Sequence, residues 1–300
     1  MTKQILVHVG LPKTGTTYLQ RCVFPKLPNV FTVGRSTPNH NVVFDELEHR
    51  IRVQNIAQFD FELEQRRLAK EIDDANESTI LWSREGFFGT AMANLRDFTL
   101  QLEVINRLLP SAKVFIVLRR QSDWLESLYR QSLMVGASWS IDEFLNYKSG
   151  QFRGCDEGLM LGLDVRGLDW SGFIQRYIDT CGVNRVLVLP YEMLRSDPLR
   201  FLNSLASFAD IPLFRVSPAN VEQNTSLNVR SASLLRNVNR LYRRRPPKRL
   251  VDFLKRYGRN LGGSPFVTAA QEKQINDLHR ESNTKLSTKI NIDLSEYRYY

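Results

Sequence analysis

The sequence predicts an α/β protein with a three-layer fold, a parallel sheet flanked by helices. Three features carry this: short apolar runs rich in β-branched residues at 5–9, 79–83, 113–118 and 185–189, helix-patterned stretches between them, and separations of about thirty residues or more, which suit crossover connections. Runs that are apolar throughout, rather than alternating, belong to strands buried on both faces.

The first run, Ile5 to Val9, leads into Gly10-Leu11-Pro12-Lys13-Thr14-Gly15-Thr16-Thr17, and Thr16 to Phe24 continues as a helix with Leu19 and Val23 at helical spacing. Strand, glycine loop and helix in this order are the context of a P-loop nucleotide-binding fold. An ordinary triphosphate loop runs Gly, four residues, Gly, Lys, Ser/Thr, with the lysine reaching the β and γ phosphates. Gly10 and Gly15 keep that spacing and Thr17 keeps the hydroxyl, but Thr16 takes the lysine position and the loop's cation is Lys13. Such a loop still suits a phosphate, since glycine allows close backbone approach and a helix start offers unpaired N–H groups. It is poorly built for ATP hydrolysis. A glycine and threonine turn without a ligand is the bland alternative.

Thr79 to Ser83 is the next strand, followed by Arg84-Glu85-Gly86, which puts a carboxylate at the edge that carries Lys13. Leu95 to Leu109 reads as a helix. Lys113 to Leu118 is a strand ending in Arg119-Arg120, and Gln121 to Met134 a helix with Leu125, Leu128 and Leu133 on one side. Arg119 therefore stands at the carboxyl end of a strand, where open α/β sheets bind ligands. Ser127, eight residues on, and Tyr129 lie on the departing helix; Arg119 and Ser127 together suit one phosphate, while a solvated arginine pair and an ordinary helix serine are the alternative. Ser140 with Glu143 and Thr268 with Gln271 are capping-box patterns, the second opening a long polar helix to about Leu286. Trp170 to Cys181 is a helix, Arg185 to Leu189 the fourth strand, and Asp197-Pro198 a helix start leading to Phe208. Stretches 35–60 and 148–168 show no clear period, as expected of lids or acceptor-binding loops.

Three hundred residues are expected to form one domain, 1–300, with a helical, basic part at about 215–300. No run approaches a membrane span and no signal-peptide pattern opens the chain; Cys22, Cys155 and Cys181 are scattered, odd in number and indicate neither a disulfide framework nor a zinc site. These features predict a reduced, cytoplasmic protein. The net charge of +9 favours anionic partners and is concentrated around Arg240 to Arg249, readable as a nucleic-acid or membrane-surface patch, a basic rim for anionic substrates, or a solvated loop between helices. Interleaved aromatics are missing apart from Tyr242, which argues against nucleic acid.

Together the two phosphate segments resemble the sulfotransferases that use 3′-phosphoadenosine 5′-phosphosulfate (PAPS). In that family a Pro-Lys-Ser/Thr-Gly-Thr-Thr loop binds the 5′-phosphosulfate, and Arg with Ser eight residues later binds the 3′-phosphate. Pro12-Lys13-Thr14-Gly15-Thr16-Thr17 matches the first without a mismatch, and Arg119, Ser127 and Tyr129 match the second. Gln121 stands where proline is common and Trp124 where a second arginine often sits. Thr14 looks closer to the carbohydrate-type branch. The resemblance implies PAPS as co-substrate, 3′,5′-bisphosphoadenosine (PAP) as product, no required metal, Lys13 stabilising the departing phosphate oxygen, and Thr16 and Thr17 holding the 5′-phosphate. It implies a histidine or glutamate base: Glu85 is the choice, with His40 and Glu46 as alternatives. Tyr18 matches an adenine-stacking position, and Tyr191 in Leu189-Pro190-Tyr191-Glu192 a residue bordering the nucleotide. The family's C-terminal Arg-Lys-Gly loop is missing, with Asn224-Thr225-Ser226 to Arg230 as a substitute.

The expected function is thus sulfuryl transfer to an acceptor hydroxyl, on a carbohydrate or glycoconjugate. A P-loop kinase or NTPase would explain the loop alone and would need the lysine that Thr16 replaces. A non-catalytic anion- or nucleic-acid-binding protein would explain only the charge.

Overall fold

The computed structural model describes residues 3–34, 37, 41–53, 56–154, 162–212, 228–242, 246–257 and 265–300. In chain order, strand β1 (Gln4–His8) leads into the glycine loop and helix α1 (Thr16–Tyr18), which passes into a π turn at Leu19–Val23 and a 3-10 turn at Phe24–Lys26. Strand β2 (Val30–Gly34), helix α2 (Val42–Val53) and helix α3 (Phe61–Asp74) follow, α3 starting where the Asp60 carboxylate accepts from Leu63 N at 2.9 Å. Next come β3 (Thr79–Ser83), α4 (Phe98–Leu108), β4 (Lys113–Leu118), α5 (Gln121–Met134), the single turn α6 (Ile141–Phe144) and a two-stranded hairpin, β5 (Tyr147–Lys148) with β6 (Gln151–Phe152). The chain closes with α7 (Trp170–Cys181), β7 (Val186–Pro190), α8 (Tyr191–Ser196), α9 (Pro198–Phe208), α10 (Val229–Tyr242), α11 (Lys248–Tyr257) and α12 (Ala269–Ile290).

One compact unit comprises Met1–Ala91, Leu95–Leu118 and Gly172–Val221. Its centre is a five-stranded sheet of order β2-β3-β1-β4-β7 in which every pairing is parallel. β1 lies in the middle, paired from Gln4↔Thr79 to His8↔Ser83 with β3 and from Leu6↔Lys113 to His8↔Phe115 with β4. The chain leaves β1 toward β3 and β2, then returns across it to β4, so the strand order reverses beside β1. The carboxyl end at such a reversal is where open α/β sheets hold ligands. β3 is buried along its whole length and β4 from Val114 to Leu118, as their unbroken apolar runs require.

The second unit comprises Met92–Asn94, Arg119–Ser171 and Glu222–Tyr300. Its centre is polar as well as apolar. Gln121 and Asn283 exchange amide hydrogen bonds of 2.9 and 3.1 Å, Asn283 also donates to Tyr299 O at 2.9 Å, and all three residues are buried. Trp124 is fully buried edge-to-face against Trp170. Both capping boxes form, at Ser140–Glu143 and Thr268–Gln271.

Three expectations need correction. Stretch 35–60 contains a regular helix, because Phe44, Leu47 and Ile51 of α2 recur at helical spacing and are buried. The helix expected to run evenly over 16–24 changes to π geometry after Tyr18. The helix expected from Leu95 begins at Phe98, since Asn94 and Leu95 adopt φ of 56° and 55° and turn the chain out of helical conformation.

Candidate active site

The loop after β1 first continues the sheet. Val9 N donates to Phe115 O at 3.1 Å, Val117 N to Gly10 O and Leu11 N to Val117 O at 3.2 Å each, so the backbone into the loop is held by β4. Three residues of the loop then take positive φ: Gly10 at 91°, Lys13 at 70° and Gly15 at 83°. For the glycines this is cheap. For Lys13 it costs on the order of 1–3 kcal/mol.

Thr14 and Thr16 are buried and both hydroxyls donate to Leu11 O, at 2.6 and 3.3 Å. The loop is therefore stapled by its own threonines. Thr17, Pro12 and Lys13 stay partly exposed. Gly15 caps α1 without a side-chain cap, which leaves the first-turn N–H groups available to an anion. Gly15 also lies against Tyr191: a Cβ there would meet the Tyr191 ring at 3.0 Å, so the ring borders the loop.

Gly10 brings the candidate base to the same place. A Cβ at Gly10 would stand 2.8 Å from Glu85 Cα and 2.9 Å from Glu85 O, so the Glu85 backbone is packed directly on the loop. Arg84 N donates to His8 O at 2.8 Å, continuing the β3 to β1 pairing up to that point. The Arg84 side chain pairs with Glu48 of α2 at 3.4 Å. Glu46, the alternative base on α2, is exposed and lies 3.7 Å from Arg50. His40 and Asn224 to Ser226 fall outside the described residues; Arg230 lies exposed on α10.

Beneath the loop sits a polar cluster that sequence reasoning missed. His8 Nδ1 and Ser83 Oγ are hydrogen-bonded at 2.8 Å, and Gln20 Nε2 donates to Ser83 Oγ at 3.0 Å and Ser83 O at 3.1 Å. Ser83 Oγ accepts from Gln20, and its contact with His8 Nδ1 is compatible with either imidazole tautomer, since a hydroxyl accepts twice and donates once; His8 Nε2 is buried without a hydrogen-bond partner among the described residues. His8 packs between the rings of Phe24 and Phe115 at 5.3 and 5.1 Å, and burial lowers its pKa to about 3. It is neutral at ordinary pH. Gln20 reaches Ser83 from the π turn, and no short sequence motif announces a contact spanning 63 residues.

Tyr18 is buried, which raises its pKa. In the second unit, Arg119 is partly exposed, with its carbonyl fixed by Trp170 Nε1 at 3.0 Å. Ser127 is 8 % exposed and Tyr129 fully buried, its hydroxyl donating to Trp139 O at 2.8 Å. Among the described residues no group of three or more His, Cys, Asp or Glu is placed to hold a metal ion, and no helix is long and apolar enough to cross a membrane.

Residues 3–249 match the sulfotransferase domain family. Solved structures that resemble the chain include a sulfotransferase from Alicyclobacillus acidocaldarius, 14% identical, with a TM-score of 0.57 and coverage of 99% of this chain and 100% of that one. A mouse sulfotransferase complexed with PAP is 13% identical with a TM-score of 0.49, covering 100% of this chain and 89% of that one. A sulfotransferase domain from the curacin biosynthetic pathway is 14% identical with a TM-score of 0.44, covering 92% and 97%. No curated protein is significantly similar in sequence.

Proposed function

The chain belongs to the sulfotransferase domain family, and we propose that it transfers the sulfuryl group of PAPS to an acceptor hydroxyl, on a carbohydrate or glycoconjugate. The observation that carries this reading is the loop: a lysine held at φ 70° in its middle, and Glu85 packed on Gly10 at its base. The residues present fit such a nucleotide. In the first unit Lys13, the first-turn N–H groups of Thr16 and Thr17 and the Thr17 hydroxyl are donors suited to a 5′-phosphosulfate; in the second, Arg119 and Ser127 are the residue types proposed for a 3′-phosphate. Pro12, Thr14 and Gly15 shape the loop, while Tyr191 borders it. Tyr18 retains its proposed place near the adenine.

PAPS supplies an activated sulfuryl group; the chain supplies the proton and charge handling. As the acceptor oxygen bonds to sulfur, the sulfur–oxygen bond to the 5′-phosphate breaks and the acceptor proton must leave. Glu85 is the proposed base, favoured over Glu46 by its position against Gly10. Lys13 stabilises the charge left on the phosphate oxygen. These are roles for side chains alone, with no metal ion assigned to either step. The free thiols Cys22 and Cys181 support a reducing, cytoplasmic setting. The family match crosses both compact units, which supports one catalytic domain over residues 1–300.

Thermal unfolding with added PAP tests the reading. At a hundred times its Kd, PAP should stabilise by about 2.7 kcal/mol without magnesium. Stabilisation by ATP with magnesium alone, and none by PAP, would instead mark a phosphotransferase.

A further inference from the structure

We infer that α10 and α11 form a docking surface for an anionic lipid membrane. The first observation is where the charge lies. The chain has 41 Lys and Arg against 32 Asp and Glu. Residues 229–257 hold ten of the former and only Asp252 of the latter, leaving 31 of each elsewhere. The whole net charge of +9 thus belongs to these two helices and their connection. A segment with this excess of one sign attracts anionic partners.

The second observation is what accompanies the charge. Along α10 the exposed positions Arg230, Leu234, Asn237 and Leu241 recur at intervals of four, three and four, forming one helical stripe, while Ser231, Ala232, Leu235 and Asn239 are buried. Leu234 is 52% and Leu241 81% exposed. α11 packs on α10, Ser231 Oγ donating to Leu254 O at 3.4 Å, with Val251 and Leu254 buried. Its exposed side carries Lys248, Arg249, the segment's one acidic residue Asp252, and Phe253, the last 55% exposed.

Basic heads beside solvent-exposed leucine and phenylalanine are complementary to a bilayer interface, where the cations meet anionic headgroups and the apolar side chains enter the acyl boundary. A hydrated polyanion such as a sulfated glycan or RNA matches the charge but gives Leu234, Leu241 and Phe253 nothing to bury against. The apolar side chains therefore select the lipid surface.

The test is sedimentation of the full chain with phosphatidylcholine vesicles, with and without phosphatidylserine. Wild type should bind only the anionic vesicles and release as salt rises. Arg240→Glu, Lys248→Glu and Arg249→Glu combined should weaken partitioning on the order of a hundredfold or more, since each basic residue near the surface contributes about fivefold. Leu241→Ser with Phe253→Ser should also weaken it at constant charge; these positions are exposed, and an unchanged melting curve confirms the fold. Equal binding by wild type and both variants would overturn the proposal. So would binding to heparin or RNA that the charge variant loses and the serine variant keeps, with no vesicle binding.

Discussion

At the scale of single residues, Lys13 and Glu85 stand out in the sequence because each lies in the polar stretch that follows a strand-like apolar run. Replacing Lys13 by Ala should lower kcat by about a hundred to a thousandfold, the cost of removing one preorganised donor at a developing charge. Glu85→Gln should remove turnover while PAP still raises the melting temperature; turnover equal to wild type would pass the base to His40 or Glu46. The hydrogen bonds of buried His8 were not legible, because its partner Ser83 and that residue's partner Gln20 come from other elements, Ser83 being remote in sequence. Its pKa of about 3 has a thermodynamic consequence. The unfolded chain takes up a proton near its ordinary value and the folded one does not, so the contribution to stability is complete above that value. As pH falls below it, stability drops by about 1.4 kcal/mol per unit until the folded imidazole titrates. The urea midpoint should therefore fall less between about pH 7 and pH 5 in His8→Asn than in wild type. Parallel curves would refute this.

At the scale of elements, β3, β4, α5 and α7 are found with the bounds their apolar patterns indicate, because buried parallel strands and amphipathic helices are written in runs of apolar residues. β2 and α2 escaped notice for opposite reasons. β2 is a five-residue edge strand with a threonine inside it, and α2 is dominated by charged residues around only a few buried ones. The π turn at Leu19–Val23 has no sequence signature at all, yet it carries Gln20 to Ser83. The loop between β1 and α1 is held against the turn after β3 by the absence of a side chain at Gly10. Gly10→Ala would place its Cβ 2.8 Å from Glu85 Cα, backbone that cannot yield as a side chain would, and at a φ of 91°. About 1–3 kcal/mol of destabilisation is expected, with a loss of kcat well beyond what that implies, because the displaced residue is the proposed base. A variant with lowered melting temperature but intact kcat would show that the Gly10 contact serves stability alone.

At the scale of the whole chain, the general architecture and the chemistry could be read, whereas the acceptor could not: acceptor recognition depends on side chains from segments with no periodic pattern. The role of the C-terminus was also hidden, since α12 reads as a polar helix and the family match stops at residue 249. The structure shows it to be part of the second unit's core. Ile275, Leu286, Leu294 and Tyr299 are buried, Asn283 pairs with Gln121 at the start of α5, and buried His279 is hydrogen-bonded through Nε2 to Val165 O at 2.9 Å. The Glu126 carboxylate of α5 accepts from Phe266 N at 3.2 Å and Val267 N at 2.8 Å. Burying such apolar side chains is worth about 1.5–3 kcal/mol each, and taking Asn283 from the buried Gln121 amide costs about 1–3 kcal/mol more, against a total stability of about 5–15 kcal/mol for an ordinary domain. Deleting residues 265–300 should therefore unfold the second unit rather than trim a tail, and with it disorder the start of α5 that follows Arg119. Limited proteolysis and near-ultraviolet circular dichroism of the shortened chain read this directly. Rapid cleavage within 121–171 is the expected result; a cooperative melt with wild-type PAP binding would show that α12 is dispensable.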